Sequence, residues 1–123
     1  MRSAVEVAVD TYILASQERD PLVRAQLLEA CYAEDARMVT RNRELHGRAA
    51  LAELLARFHE NPKLLGIRVI SRVDAQGTTF RYRAVADFRD GPSAEVFDAG
   101  EIDASGRISL ILTFAGPLAN AED

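Results

Sequence analysis

Four runs in the second half of the chain decide the fold: IRVISRVD (Ile67–Asp74), TFRYRAVADF (Thr79–Phe88), AEVFDAGEID (Ala94–Asp103) and ISLILTFA (Ile108–Ala115). Each has the period-2 character of a strand whose successive side chains point to opposite faces. Gln76-Gly77, Asp90-Gly91-Pro92 and Ser105-Gly106 lie between them, and each is a good turn signal. Connections this short make neighbouring strands antiparallel partners.

Upstream of these runs the period is 3.6. Val5, Ala8, Val9, Tyr12, Ile13 and Ser16 share one face of a helix running from about Ser3 to Glu18. Asp20-Pro21 combines an N-cap residue with a proline at the first helical position, where its missing N–H costs nothing. A second helix therefore starts at Pro21 and is expected to bury Leu22, Ala25, Leu28 and either Cys31 or Tyr32. Ala36 to Thr40 reads as a short strand. His46-Gly47 leads into a third helix with Leu51, Leu54, Leu55 and Phe58 on one face, ended by Asn61-Pro62. Helices first and a meander of long strands second is an α+β pattern. There is no internal repeat, low-complexity tract or linker, so residues 1–123 read as a single domain.

Composition sets the remaining bounds. A chain of 123 residues can bury roughly two-thirds of its unfolded surface, so neither a metal nor a disulfide is required for stability. One cysteine, Cys31, excludes an intrachain disulfide and fits a reducing, cytoplasmic setting. Glu6 and Asp10 interrupt the N-terminal apolar residues, which argues against a secretory signal, and no stretch is long enough to cross a bilayer. A net charge of −4 gives no reason to expect nucleic acid or an anionic membrane as partner.

Three local patterns then coincide. Tyr32-Ala33-Glu34-Asp35-Ala36 precedes the first strand, Leu45-His46-Gly47-Arg48 opens the third helix, and Ile102-Asp103-Ala104-Ser105-Gly106-Arg107-Ile108 forms the last hairpin. In this order and at these distances they resemble the SnoaL-like, ketosteroid-isomerase-like branch of the nuclear-transport-factor-two superfamily, over about Val7 to Leu118. The resemblance implies a curved antiparallel sheet wrapped around the N-terminal helices, a cone with an internal pocket. It places Tyr12 at the position of an oxyanion-hole tyrosine, Asp98 at that of the oxyanion-hole acid, and Thr40 where the isomerase carries its general-base aspartate. Met38, Phe80, Tyr82, Ala84, Ile111, Thr113 and Ala115 become pocket-lining residues. Threonine has no pKa suited to abstracting a proton at neutral pH, so the isomerase chemistry does not carry over intact.

Each candidate has a plainer alternative. Asp98 shares a strand face with Val96, Gly100 and Ile102. A lone acid among apolar neighbours has its charged form disfavoured, as in ketosteroid isomerase, and could donate a hydrogen bond. It could equally be an acid held by structural hydrogen bonds. Tyr12 is either core or, if its hydroxyl meets Asp98, half of a donor site for an oxyanion. Glu34 and Asp35 are adjacent and expected to point apart, Cys31 reads as a small core residue, and His46 and His59 lack metal-ligand spacing. Arg68, Arg72, Arg81 and Arg83 fall on the outer sheet face with Asp74, Asp87, Glu95, Glu101, Val85, Phe97, Leu110, Leu112 and Phe114. A mixed, charge-compensated face of this kind suits a homodimer interface better than nucleic acid.

These readings give an isomerase-, cyclase- or lyase-type enzyme acting on a small apolar carbonyl compound through Asp98 and Tyr12. The alternatives are a non-catalytic binder of an apolar metabolite and a dimerisation module. None of them implies a cofactor or a metal. Epoxide hydrolysis is disfavoured, because the last strand, Ile108–Ala115, carries no charge.

Overall fold

Ser3 opens helix α1 (Ala4–Gln17) in the computed structural model, which describes residues 2–122. Its side chain accepts the Glu6 N–H while the Glu6 carboxylate accepts that of Ser3, a reciprocal pair that satisfies two otherwise unpartnered donors. Helix α2 (Pro21–Cys31) starts where expected, with Asp20 Oδ1 accepting the Leu22 N–H at 2.9 Å. Its buried face differs from the expected one. Leu22 and Ala25 are exposed, and Arg24, Leu28 and Cys31 are buried. Arg24 turns inward because its guanidinium donates to the carbonyls of Glu18 and Arg19, the orphan acceptors just beyond α1.

Strand β1 (Tyr32–Val39) is longer than the expected Ala36–Thr40 and already contains the Tyr32–Ala36 motif. A three-residue strand β2 (Glu44–His46) pairs back on it before helix α3 (Arg48–Glu60). Gly47 sits at the α3 N-cap with φ of 91°, a conformation strained for any other residue, and a Cβ there would lie 3.3 Å from the Glu34 carbonyl oxygen.

The expected run Ile67–Asp74 is two strands, β3 (Leu64–Val69) and β4 (Asp74–Gln76), both on the same edge of β5 (Thr79–Phe88). Between them Ser71 Oγ accepts the Arg83 N–H at 2.8 Å, so a side chain takes over a ladder bond that a backbone carbonyl would supply. Strands β6 (Ala94–Ile102) and β7 (Ile108–Ala115) complete a sheet ordered β2-β1-β7-β6-β5-β3. The hairpins are antiparallel as expected, but β1 joins β7 in parallel, so the sheet is mixed at that one seam. The helices pack on its concave face over one cluster of buried side chains, including Val9, Leu28, Tyr32, Leu51, Ile108 and Ile111. No helix is long and apolar enough to cross a membrane among the described residues.

Candidate functional site

The sheet and helices do not close completely on each other. A cavity of about 280 Å³ remains between α1, α3 and the concave faces of β1, β3, β5, β6 and β7. Helix α1 contributes Tyr12, Ile13 and Ser16, and α3 contributes the stripe Leu51, Leu54, Leu55 and Phe58. The strands add Met38, Ile67, Val69, Tyr82, Ala84, Val85, Val96, Asp98 and Thr113, and Thr40 follows directly on β1. Asp98 is the one carboxyl group in this lining, and the lining contains no lysine, arginine or histidine.

The pairing register creates the polar corner. Asp98 lies directly opposite Tyr82 on β5 and Thr113 on β7. Residues opposite each other in an antiparallel pair project to the same face, so the three side chains meet. The Tyr82 hydroxyl donates to Asp98 Oδ2 at 2.8 Å and the Thr113 hydroxyl to Oδ1 at 2.7 Å. Asp98 is 7% exposed, and burial raises its pKa above the ordinary aspartate value; the hydrogen bonds from Thr113 and Tyr82 oppose that rise. Burial and then the Asp98 charge push both Tyr12 and Tyr82 well above the ordinary tyrosine range, so both phenols keep their protons.

Tyr12 lines the same cavity, but it holds neither carboxylate oxygen: the two hydrogen bonds of Asp98 go to Tyr82 and Thr113. No hydrogen bond from the Tyr12 hydroxyl exists among the described residues, and its ring lies 6.2 Å from that of Tyr32. Thr40 lines the cavity with its hydroxyl donated to the Arg43 carbonyl at 3.2 Å.

Met38, Thr40, Tyr82, Ala84 and Thr113 line the cavity as expected, and three other residues do not. Phe80 and Ile111 are buried outside its lining, and Phe80 stacks on Tyr82 at 6.3 Å. Ala115 is exposed at the end of β7, and its carbonyl accepts from Arg41. The α3 stripe was legible as an apolar face but not as a cavity wall. Tyr82 and Thr113 were legible as lining but not as the partners of Asp98. Counting outward from the turns would not have given the whole register, because β5 and β6 pair about Asp90 rather than about Gly91, and the β6–β7 ladder shifts between Glu101 and Ile102.

Residues elsewhere resolve more simply. Glu34 and Asp35 are both exposed, beside the register shift in β1. His46 is exposed beside Glu44, and His59 Nε2 meets the Ser16 carbonyl at 2.7 Å. Burial pushes the Cys31 thiol up to about 12, which leaves it unreactive. No group of side chains suited to a metal ion occurs among the described residues. A shallow groove of about 480 Å³ runs over the outer sheet face past Arg81, Glu101, Leu110 and Leu112. Its acids and arginines are exposed and partly paired with one another, so the inner cavity is the candidate site.

No protein-family model matches the chain, and no curated protein matches it. Solved structures do. A candidate isomerase of the SnoaL-like family from Agrobacterium tumefaciens is 22% identical, with a TM-score of 0.80 over 94% of this chain and 100% of that one. An LEH-like epoxide hydrolase from M. tuberculosis is 21% identical, with a TM-score of 0.67 over 92% of this chain and 83% of that one. An NTF2-like protein of unknown function from Burkholderia xenovorans is 18% identical, with a TM-score of 0.71 over 96% and 87%. At these identities the likeness is one of fold, and it agrees with the element order and the pairing: the chain has the α+β cone fold of the SnoaL-like and nuclear-transport-factor-two-like proteins.

Proposed function

We propose that the cavity binds a small apolar molecule with a carbonyl or enolisable group, and that the protein acts on it as an isomerase, cyclase or lyase. The observation that carries this reading is the polar corner. Asp98 stands between two hydroxyl donors in a largely apolar wall, in a cavity that Tyr12 also lines. As negative charge develops on a ligand oxygen, Tyr12 donates to it, and Asp98 in its neutral form supplies a second proton-bearing oxygen. Water is a weak competitor in so apolar a site, which strengthens both interactions. The proton leaving carbon is taken by a water or by the substrate itself, since Thr40 has its hydroxyl engaged by Arg43 and carries no usable base.

That commitment of Thr40, with no second carboxyl in the lining, favours a rival reading of a binding domain without catalysis. Exchange of the α-protons of 2-tetralone in deuterated buffer, followed by NMR, separates the two. Catalysis gives exchange above the buffer rate that drops in Tyr12→Phe and in Asp98→Asn. Saturable binding with exchange at the buffer rate supports the binding domain and overturns the enzyme.

We further propose that a second copy of the chain covers the outer sheet face. Phe114 is 57% exposed there beside the half-buried Phe97, Leu110 and Leu112. Val85, assigned to the same patch from sequence, is buried and counts among the residues lining the inner cavity, so the apolar strip is narrower than expected. The ion pairs Arg68–Asp87, Arg81–Asp74 and Arg83–Glu95 on this face are self-compensating and offer a nucleic acid no net positive field. Sedimentation at several concentrations tests this. A dimer weakened by Phe114→Asp is expected, and a monomer at every concentration overturns it.

A further inference from the structure

We infer that the cavity is shaped for an uncharged molecule of one or two rings whose oxygen both donates and accepts a hydrogen bond, a hydroxyl or an enol. The inference rests on the pocket reading above and narrows its ligand. Three independent features of the cavity carry it.

Size comes first. An apolar cavity of about 150 Å³ takes up one benzene ring, and drug-sized ligands occupy pockets from about 300 Å³ upward. At about 280 Å³ this cavity has space for one or two rings but not for a rigid four-ring skeleton. Charge comes second. With no lysine, arginine or histidine in the lining, a bound carboxylate or phosphate would lose its hydration and gain no cation. It would also meet Asp98.

Hydrogen-bond capacity comes third. Four hydroxyls at the cavity have already spent their protons inside the protein. Ser16 donates to the Ile13 carbonyl at 2.7 Å and Thr40 to that of Arg43. Tyr82 and Thr113 donate to Asp98. Of the hydroxyls in the cavity lining, that of Tyr12 is the one whose proton is unspent, while each Asp98 oxygen, bonded once, keeps a free lone pair. With Asp98 ionised the corner therefore offers one donor and spare acceptors, and the proton that Asp98 carries in its neutral form is the second donor that the proposed reaction uses. A ketone or ether satisfies the donor alone. A hydroxyl accepts from Tyr12 and donates to Asp98, so it leaves no group unpaired. The enol of a ketone does the same, which is how a binding preference for hydroxyls serves an enolising reaction.

Calorimetric titration with four probes tests the inference on the full chain: 2-naphthol, naphthalene, 2-naphthoate and estradiol, a phenol on four rings. We expect 2-naphthol to bind about tenfold more tightly than naphthalene, the worth of one satisfied polar contact. The naphthoate and estradiol should bind more weakly than naphthalene. Tyr12→Phe should bring 2-naphthol to the naphthalene affinity and leave naphthalene unchanged, which a general loss of structure would not do. Estradiol binding as tightly as 2-naphthol overturns the size argument, and tighter binding of the naphthoate overturns the charge argument. Equal affinities for 2-naphthol and naphthalene on the unaltered protein overturn the hydrogen-bond argument whether or not the variant folds. If none of the four binds, the pocket reading falls and takes this inference with it.

Discussion

The two faces of one sheet carry the same residue type under opposite conditions. On the concave face Asp98 is buried without a cation, held by two neutral hydroxyls, and its pKa is raised chiefly by burial. On the outer face Asp87 takes a bidentate pair of bonds from Arg68 and another from Ser93, and its pKa is lowered, first by the Arg68 bond. They lie eleven positions apart on paired strands. Solvent makes the difference. Outside, water and arginine both stabilise the carboxylate; inside, two hydroxyls only partly replace water. Polar groups on the concave face are therefore few, mutually bonded and costly to disturb, whereas those outside are numerous and individually cheap.

The largest effect should come from the concave face where it is most crowded. A Cβ added at Gly100 would stand 2.1 Å from the Leu110 carbonyl oxygen and 2.8 Å from Phe80 Cζ. The first neighbour is backbone and cannot swing aside, so Gly100→Ala should cost about 3 kcal/mol, read by chemical denaturation. A cost below about 1 kcal/mol would mean that the sheet yields locally and that the inner face is less rigid than the comparison holds. Next is Tyr82→Phe, which removes one of the two donors to Asp98 and leaves Oδ2 buried without its partner. A loss of about 1–3 kcal/mol is expected. No loss would mean that water reaches the corner and replaces the phenol.

A smaller effect, but the most direct on the comparison, is the pH dependence. A group whose folded pKa lies above its unfolded value contributes stability that is complete below the unfolded pKa and is lost as pH rises through the folded one. Asp98 is such a group, with an ordinary value of 3.8. Asp87, whose folded pKa is lowered, contributes stability above 3.8 that disappears as pH falls through its folded value. Neither asparagine variant can ionise. The stability of the unaltered protein relative to Asp98→Asn should therefore fall as pH rises above 3.8, while that relative to Asp87→Asn should level off above 3.8 and fall as pH drops below it. Denaturation curves of all three proteins between about pH 3 and 7, at one protein concentration, check both slopes. Slopes of the same sign would remove the distinction between the faces.

How much of this was legible in the sequence depended on how local the deciding interaction is. The Asp20-Pro21 helix start and the three hairpins were readable, because a cap or a turn dipeptide determines its own neighbourhood. The gap between β3 and β4 was not, because it depends on the Ser71 hydroxyl finding the Arg83 amide across the sheet. Nor was the parallel seam between β1 and β7, which joins residues some seventy positions apart. Apolar periodicity on α2 pointed to Leu22 and Ala25, and it passed over Arg24, whose partners are carbonyls of the preceding segment. In the site, alternation was enough to put Asp98 inside. Its partners required the register on both sides, so Tyr12 stood in for Tyr82.

The smallest expected effect is the one that completes the comparison. Arg81 donates to Asp74 at 2.8 Å, with both side chains more than 60% exposed. Judged by geometry alone this bond is as good as that between Tyr82 and Asp98, also 2.8 Å. Geometry is not what separates them. When Arg81 becomes glutamine, water solvates the released Asp74 carboxylate, and two long side chains regain rotamer freedom. When Tyr82 becomes phenylalanine, nothing comparable reaches Asp98. Arg81→Gln should therefore move the melting temperature by less than about 2 °C, and 0.5 M salt, as a rough match to full screening, should leave the unaltered protein about as stable as before. A shift as large as that of Tyr82→Phe would show that the outer pair is shielded from solvent in solution. That would contradict its exposure in the lone chain and require the outer face to be covered, which sedimentation of the same variant would then have to confirm.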